Sequence, residues 1–205
     1  MSLDTYDGLT ASIGSWIKRS DLAANIPDFI RLAEARIARE LRLRRQITTA
    51  TIPTVGGVQS IDLPDDYLEA ENITLQGSIP RQLTFVPIEH LDARYPADYT
   101  AMPAVYTMLG NQLLMGPVPD AIYNIEVVYY ARFTPLSSSN QTNWLLQNHP
   151  GIYIFSALAE AEPFMMNDDR SVMWEGKAER EIEKLQSADD QAVHSGTALR
   201  VKTVN

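Results

Sequence analysis

A chain of 205 residues with 45% hydrophobic and 21% charged residues has material for one sizeable core and is not a disordered tail. Its 26 acids against 17 lysines and arginines give a net charge of −9, which excludes a surface made throughout for nucleic acid. The lack of cysteine excludes disulfides, thiolate metal sites and thiol nucleophiles. No apolar run reaches the roughly 18 residues of a membrane span, and the acid-bearing start MSLDTYDG is not that of an export signal, so neither membrane nor secretion is expected.

The first predicted element is a helix over Leu3–Ile17, with Leu9, Ile13, Trp16 and Ile17 on one side and Gly8 and Gly14 as weak points. After the connection KRSDLAA comes Ile26–Leu43, where Ile26, Ile30, Ala33, Ile37 and Leu41 recur at three- and four-residue steps and form one helical stripe. Asn25 is the expected N-cap, Pro27 suits the first turn because it has no N–H to leave unpaired, and Asp28 complements the positive helix end. Leu32 and Leu43 lie off this stripe and imply a second packing partner.

From Gln46 the period changes to alternation: ITTATIPTVGGVQSIDLP predicts a hairpin turned at Gly56 and Gly57. Short strands are expected in YLEAENITL, RQLTFVP and AVYTMLGNQLLMGP, with a short helix at PIEHLDARYP. The longest strand, IYNIEVVYYARFTPL, places Tyr123, Ile125, Val127, Tyr129, Ala131 and Phe133 on one face and Asn124, Glu126 and Arg132 on the other, so it is predicted half buried. PLSSSNQTN is a loop. Helices follow over Ile152–Ala161 and Ser171–Ser187, turned by Pro163 and MNDD, the second directing Trp174, Ala178, Ile182 and Leu185 one way. Met165, Met166, Met173 and Trp174 serve either as core filler or as an adaptable contact surface. The end, TALRVKTVN, alternates Leu199 and Val201 with Arg200 and Lys202.

Two helices, a β block and two helices predict an α+β fold: a helical bundle of the N- and C-terminal helix pairs with an inserted block of antiparallel β-hairpins. The expected organisation is a single protomer over 1–205, with a helical part at 1–46 and 144–195, a β-rich part at 47–143 and an extended tail at 196–205.

Nothing nominates catalysis. Phosphate loops, dinucleotide loops, nucleophile elbows and HExxH helices are absent, His90, His149 and His194 stand far apart, and the pairs Asp65/Asp66, Asp168/Asp169 and Asp189/Asp190 suit helix starts or wet turns. No cofactor or metal is expected. A hydrolase assembled from scattered acids and histidines would need a pocket where they meet.

Charge is the informative feature. Six arginines lie between Arg31 and Arg45 against Glu34 and Glu40, with Arg31, Arg39 and Arg42 opposite the apolar stripe and the small Ala35 and Ala38 between them. Glu160–Asp190 holds ten acids, among them Glu179 and Glu183, against four cations. The basic helix therefore reads as a grip for DNA phosphates, as an ion-paired interface with the acidic helices, or as an ordinary solvated face. A DNA-binding regulator using the basic helix 26–45 is the alternative function, although KRSDLAAN leaves little room for the partner helix of a helix-turn-helix.

The run YDGLTASIGSWIKRSDLAANIPDFIRLAEARIARELRLR, the segment TIPTVGGVQSIDLPDDYLEAENI and the later HPGIYIFSALAEAEPFMMNDDRSVMWEGKAEREIEKL together resemble the head-to-tail adaptor, or connector, proteins of tailed bacteriophages. That resemblance implies a structural, non-catalytic virion protein at the neck between head and tail, assembled in the host cytoplasm. It also implies a homo-oligomeric ring, typically of twelve copies, docked on the portal protein and followed by a tail or nozzle protein. DNA passes through without sequence-specific binding, and no membrane is involved. Subunit or portal contacts are then expected at Arg31, Arg36, Arg39, Arg42, Glu179, Glu183, Leu199, Arg200, Val201 and Lys202.

Overall fold

The computed structural model of the chain describes residues 3–165 and 168–194. It is an α+β structure, as expected, and divides into two units, residues 1–43 with 133–205, and residues 44–132. Each surrounds its own hydrophobic core.

In the helical unit, helix α1 covers Tyr6–Ile17. It starts later than the apolar pattern because Thr5 caps it, its hydroxyl accepting from the Gly8 N–H at 3.1 Å. Lys18 closes it in the left-handed region (φ 55°), donating to the Gly14 carbonyl. Leu9, Ile13 and Ile17 are buried, whereas Trp16 keeps nearly half its surface exposed.

A 3-10 helix at Ser20–Asn25 runs directly into α2, Ile26–Glu40. That continuity overturns the expected N-cap: Asn25 has helical dihedrals and its side chain makes no capping bond. The predicted stripe holds, with Ile26, Ile30, Ala33, Ile37 and Leu41 all buried. The helix stops short of Leu43 because Leu41 turns extended, and the Arg42 Nη1 donates to the Ala38 and Leu41 carbonyls at 2.8 Å, covering the helix end. Leu43 lies in the same core as the stripe, while Leu32 is about half exposed.

Helices α4 (Trp144–Asn148), α5 (Pro150–Phe164) and α6 (Asp168–His194) complete this unit. Pro163 falls inside the last turn of α5 and not in the connection. Helix α5 is the hub, packing on α1, α2 and α6. Its burial on several sides follows from the apolar run IYIFSALAEA. On α6, Trp174, Ala178 and Ile182 are buried and Leu185 packs against them.

The segment 133–143 groups with the helices and is tied to them by polar bonds. The Tyr6 N–H donates to the Gln141 carbonyl at 2.7 Å and the Leu136 N–H to Glu34 Oε1 at 2.8 Å. Asn143 caps α4 and its Nδ2 donates to the Tyr153 hydroxyl at 2.7 Å. Burial pushes Glu34 above the usual carboxylate range, against the pull of the Leu136 N–H. The same burial, aided by Glu34, carries Tyr153 well above the ordinary tyrosine range.

In the β unit the strands form two four-stranded sheets. Strands β1 (Ile47–Pro53), β3 (Tyr67–Gln76), β4 (Arg81–Gln82) and β8 (Asn124–Ala131) lie in the order β1-β8-β3-β4. Strands β2 (Ser60–Asp62), β5 (Thr84–Phe85), β6 (Val105–Leu109) and β7 (Gln112–Gly116) lie in the order β2-β7-β6-β5. The hairpin expected at Gly56 and Gly57 is therefore absent. The glycines do make a turn, with Gly57 at φ 80°, but the chain there passes from one sheet to the other. Thr54 fixes the passage: its hydroxyl donates to the Ala121 carbonyl and accepts from the Tyr123 N–H. The hairpin β6–β7 forms as predicted, turning at Gly110. The predicted short helix is α3, Ile88–Arg94.

The expected face of β8 is the buried one, with Ile125, Val127 and Tyr129 inside. The Tyr129 hydroxyl donates to Asp66 at 2.9 Å, and burial together with that carboxylate pushes the phenol up to about 12.

Candidate functional site

The predicted surface is built on two helices of the helical unit. Helix α2 offers Arg31, Arg36 and Arg39, and helix α6 offers Glu179 and Glu183. At 100° per residue, Arg31, Ala35 and Arg39 point away from the buried stripe. All three are exposed, and the Arg31 side chain lies 3.6 Å from Asp28, one turn earlier on the same helix. Arg42 is half buried on the end carbonyls of α2.

Arg36 is different. It sits at the margin of the stripe, with a side chain only 10% exposed, among acids of α2, α5 and α6. Its Nε donates to Glu40 Oε1 at 3.1 Å and its Nη2 donates to Glu175. Glu160 and Glu179 approach it at 3.9 Å. Burial lowers its proton affinity, and the bonds and charges of Glu175 and Glu40 more than restore it. Arg36, expected at a subunit or portal contact, is thus buried and ion-paired within its own protomer, whereas Glu179, 3.9 Å from it, stays exposed. Beside the local Glu40, the acids that hold it come from α5 and α6, well over a hundred residues further along the chain, which no local pattern reveals. One further bond, from Gln186 Nε2 to the Glu40 carbonyl, ties the end of α2 to α6.

A second buried charge was not foreseen. Glu162 on α5 is almost wholly buried; its Oε1 accepts from Trp174 Nε1 at 3.0 Å and lies 3.1 Å from Arg170. The signal for it was an acid, one of only two with Glu160, in an otherwise apolar helix. Nearby, Phe155 stacks on Trp174, Trp16 meets Trp174 edge-on, and Lys177 Nζ stands 4.4 Å over the Trp174 ring. In the methionine-rich turn Met165 packs on the core and Met173 and the neighbouring Phe164 face solvent, while Met166 lies outside the described residues.

Toward catalysis the structure offers little. An open cavity of about 540 Å³ in the β unit is lined by Val86, His90, Ala93, Arg94, Tyr95 and Val105, with no carboxylate among them. Among the described residues no group of three or more histidines and acids is placed to hold a metal ion, and no helix is long and apolar enough to cross a membrane. Of the histidines, His90 lines that cavity and the ring of His149 meets Trp144 at 5.4 Å. Leu199, Arg200, Val201 and Lys202 lie outside the described residues.

The charged, exposed residues Arg31, Arg39 and Glu183 are the candidate contact surface. Comparison with known families matches residues 4–202 to the SU10 adaptor protein family. The chain belongs to that family. It is a phage head–tail adaptor, a structural, virion-associated protein that works in association with other neck proteins. The match takes in both units of the adaptor and runs into the tail. No curated protein matches the chain.

Proposed function

We propose that this adaptor assembles as a closed ring, of twelve copies by the resemblance described above, that docks on the portal and prolongs the DNA exit channel toward the next tail or nozzle component. The observation that carries the reading is the family match across residues 4–202. A ring needs a head-to-tail contact between two unlike surfaces of the same chain. The outer face of α2, with Arg31 and Arg39 flanking the small Ala35, and the outer face of α6, with Glu183, supply two surfaces of opposite sign. Arg36 and Glu179 serve this contact indirectly, by fixing α2 against α6 within each copy. The tail residues Leu199, Arg200, Val201 and Lys202 contribute to the subunit or portal contact. The overall charge of −9 suits a conduit, because a wall that repels phosphate lets the polymer slide. DNA passes without sequence readout, and the neck of the virion, assembled in the host cytoplasm, is the location.

The test is charge reversal with rescue. Arg31→Glu combined with Arg39→Glu is expected to reduce ring formation on purified portal at least tenfold, read by sedimentation and native mass spectrometry. Glu183→Arg in the same chain is expected to recover part of it. Rings of wild-type yield from the double reversal would refute the lateral contact. Exposed ion pairs contribute only about 0–1 kcal/mol each, so the effect comes from repulsion repeated at every interface of the ring.

A further inference from the structure

The sheet β1-β8-β3-β4 ends on β1, a seven-residue strand with one side bonded to β8. Which of its groups point outward follows from the register. Residues of β1 pair with those of β8 in a fixed antiparallel sequence, Ile47 with Tyr130 through Pro53 with Asn124, and the Thr54 N–H donates to the Tyr123 carbonyl just beyond. In such a ladder every second residue bonds inward, so Thr48, Ala50 and Ile52 are spent on β8 and Ile47, Thr49 and Thr51 direct N–H and C=O to the other side. Among the described residues no backbone bond is formed along that side.

Natural edge strands are usually guarded by charge, by bulges, by proline or by being very short. β1 has none of these over Ile47–Ile52: no charged side chain, regular pairing, three threonines, and a proline only at its last position. It is a prepared template for one more strand.

We infer that this edge receives the C-terminal tail of a second copy of the chain, an assignment that rests on the ring reading above and gives the tail its seat. Three observations select the occupant. Length suits: α6 is described as far as His194, and the residues 195–205 beyond it would span about 36 Å as an added strand at roughly 3.3 Å per residue, against about 23 Å for β1. Pattern suits: Leu199 and Val201 alternate with Arg200 and Lys202, so an added strand sets two aliphatics beside Ala50 and Ile52, which pack on the β core, and two cations beside Thr49 and Thr51, which face solvent. Charge suits: on that solvent face Thr51 stands opposite Glu126 of β8, putting a carboxylate two strands from the tail and within reach of an arginine laid across the sheet.

The absence of native cysteine makes the test clean. Thr49→Cys and Arg200→Cys are placed in separate full-length chains, mixed in equal amounts and oxidised, and the tail cysteine is moved through positions 198, 202 and 204 to cover the register on that face. A disulfide needs Cα atoms within about 7 Å, so only a seated tail links. At least one tail position is expected to give a covalent dimer in the mixture, at ten or more times its yield in either chain alone. Val201→Pro, which removes a ladder N–H, is expected to cut the best yield at least fivefold. No dimer at any of the four positions, or only an intrachain link in the double variant, overturns the inference. Native mass of the same samples separates it from the ring reading: rings without cross-links refute the seat and leave the ring, whereas cross-linked pairs that never exceed dimers keep the seat and refute the ring.

Discussion

The two units are held by different means. The helical unit buries charge, with Arg36 inside a ring of four carboxylates and Glu162 between Trp174 and Arg170. It also buries the polar junction Glu34–Tyr153–Asn143 that ties the 133–143 segment to α2 and α5. The β unit has an almost wholly aliphatic core, from Ile61 to Tyr129, with its polar bonds at the rim, as in Thr54 and Tyr129 with Asp66. Apolar burial fixes how much surface is hidden without fixing which element lies beside which, whereas a buried ion has few acceptable neighbours. The charges of the helical unit therefore specify the arrangement of helices that arrive from opposite ends of the chain. The β unit, contiguous in sequence, obtains its specificity from strand register.

That contrast can be broken at three places. The largest effect is expected from Arg36→Ala, which leaves Glu40, Glu160, Glu175 and Glu179 facing one another. A destabilisation of about 2–3 kcal/mol in urea unfolding follows, less than the 3–5 of a fully buried pair because the acids are partly exposed. A loss under 0.5 kcal/mol would mean that the cluster does not order the helices.

The β unit is expected to respond to shape instead. At Gly116 an added Cβ would lie 2.8 Å from the Tyr95 ring and 3.1 Å from Val105, so Gly116→Ala should cost about 1–2 kcal/mol by overpacking. Thermal unfolding followed by tyrosine fluorescence measures it, and an unchanged midpoint would show that the ring moves aside.

The smallest effect belongs to Glu34. Its folded pKa is raised by burial, so the folded state holds the proton more tightly than the unfolded one. The protonated form is the stabilising one; its contribution is complete below the ordinary glutamate range and is lost as pH rises through the raised value. Glu34→Gln is expected to increase stability at pH 7 by less than about 1 kcal/mol and to change nothing near pH 3. A gain of equal size at both pH values would assign the effect to packing and not to charge.

What the sequence disclosed divides along the same line. Helix faces were readable because a 3.6-residue period is local: the stripe Ile26, Ile30, Ala33, Ile37, Leu41 and the set Trp174, Ala178, Ile182 are buried as the spacing required. The inward face of β8 was readable for the same reason. Pairing was not. Gly56 and Gly57 carry the signature of a hairpin, yet β1 joins β8 and β2 joins β7, choices made by residues some fifty or more positions away. Asn25 was misjudged because a 3-10 helix before it already continues the helical path. The partners of Arg36 were not readable because the sequence shows a basic helix and an acidic helix but not that Arg36 meets the acids within one protomer. Arg31 and Arg39 do face solvent, as their spacing indicated.

The nesting of one unit within the other has a consequence for synthesis. The β unit ends at Arg132 and has all its strands once that residue has emerged from the ribosome, whereas α1 and α2, made first, wait for α5 and α6. Through that interval the apolar stripe of α2 lacks the cover of α5, so the nascent chain is most prone to self-association while its first forty residues are already made and its last sixty are not. Shelter by a chaperone, or slow release of neighbouring copies from one messenger, would matter most in that window.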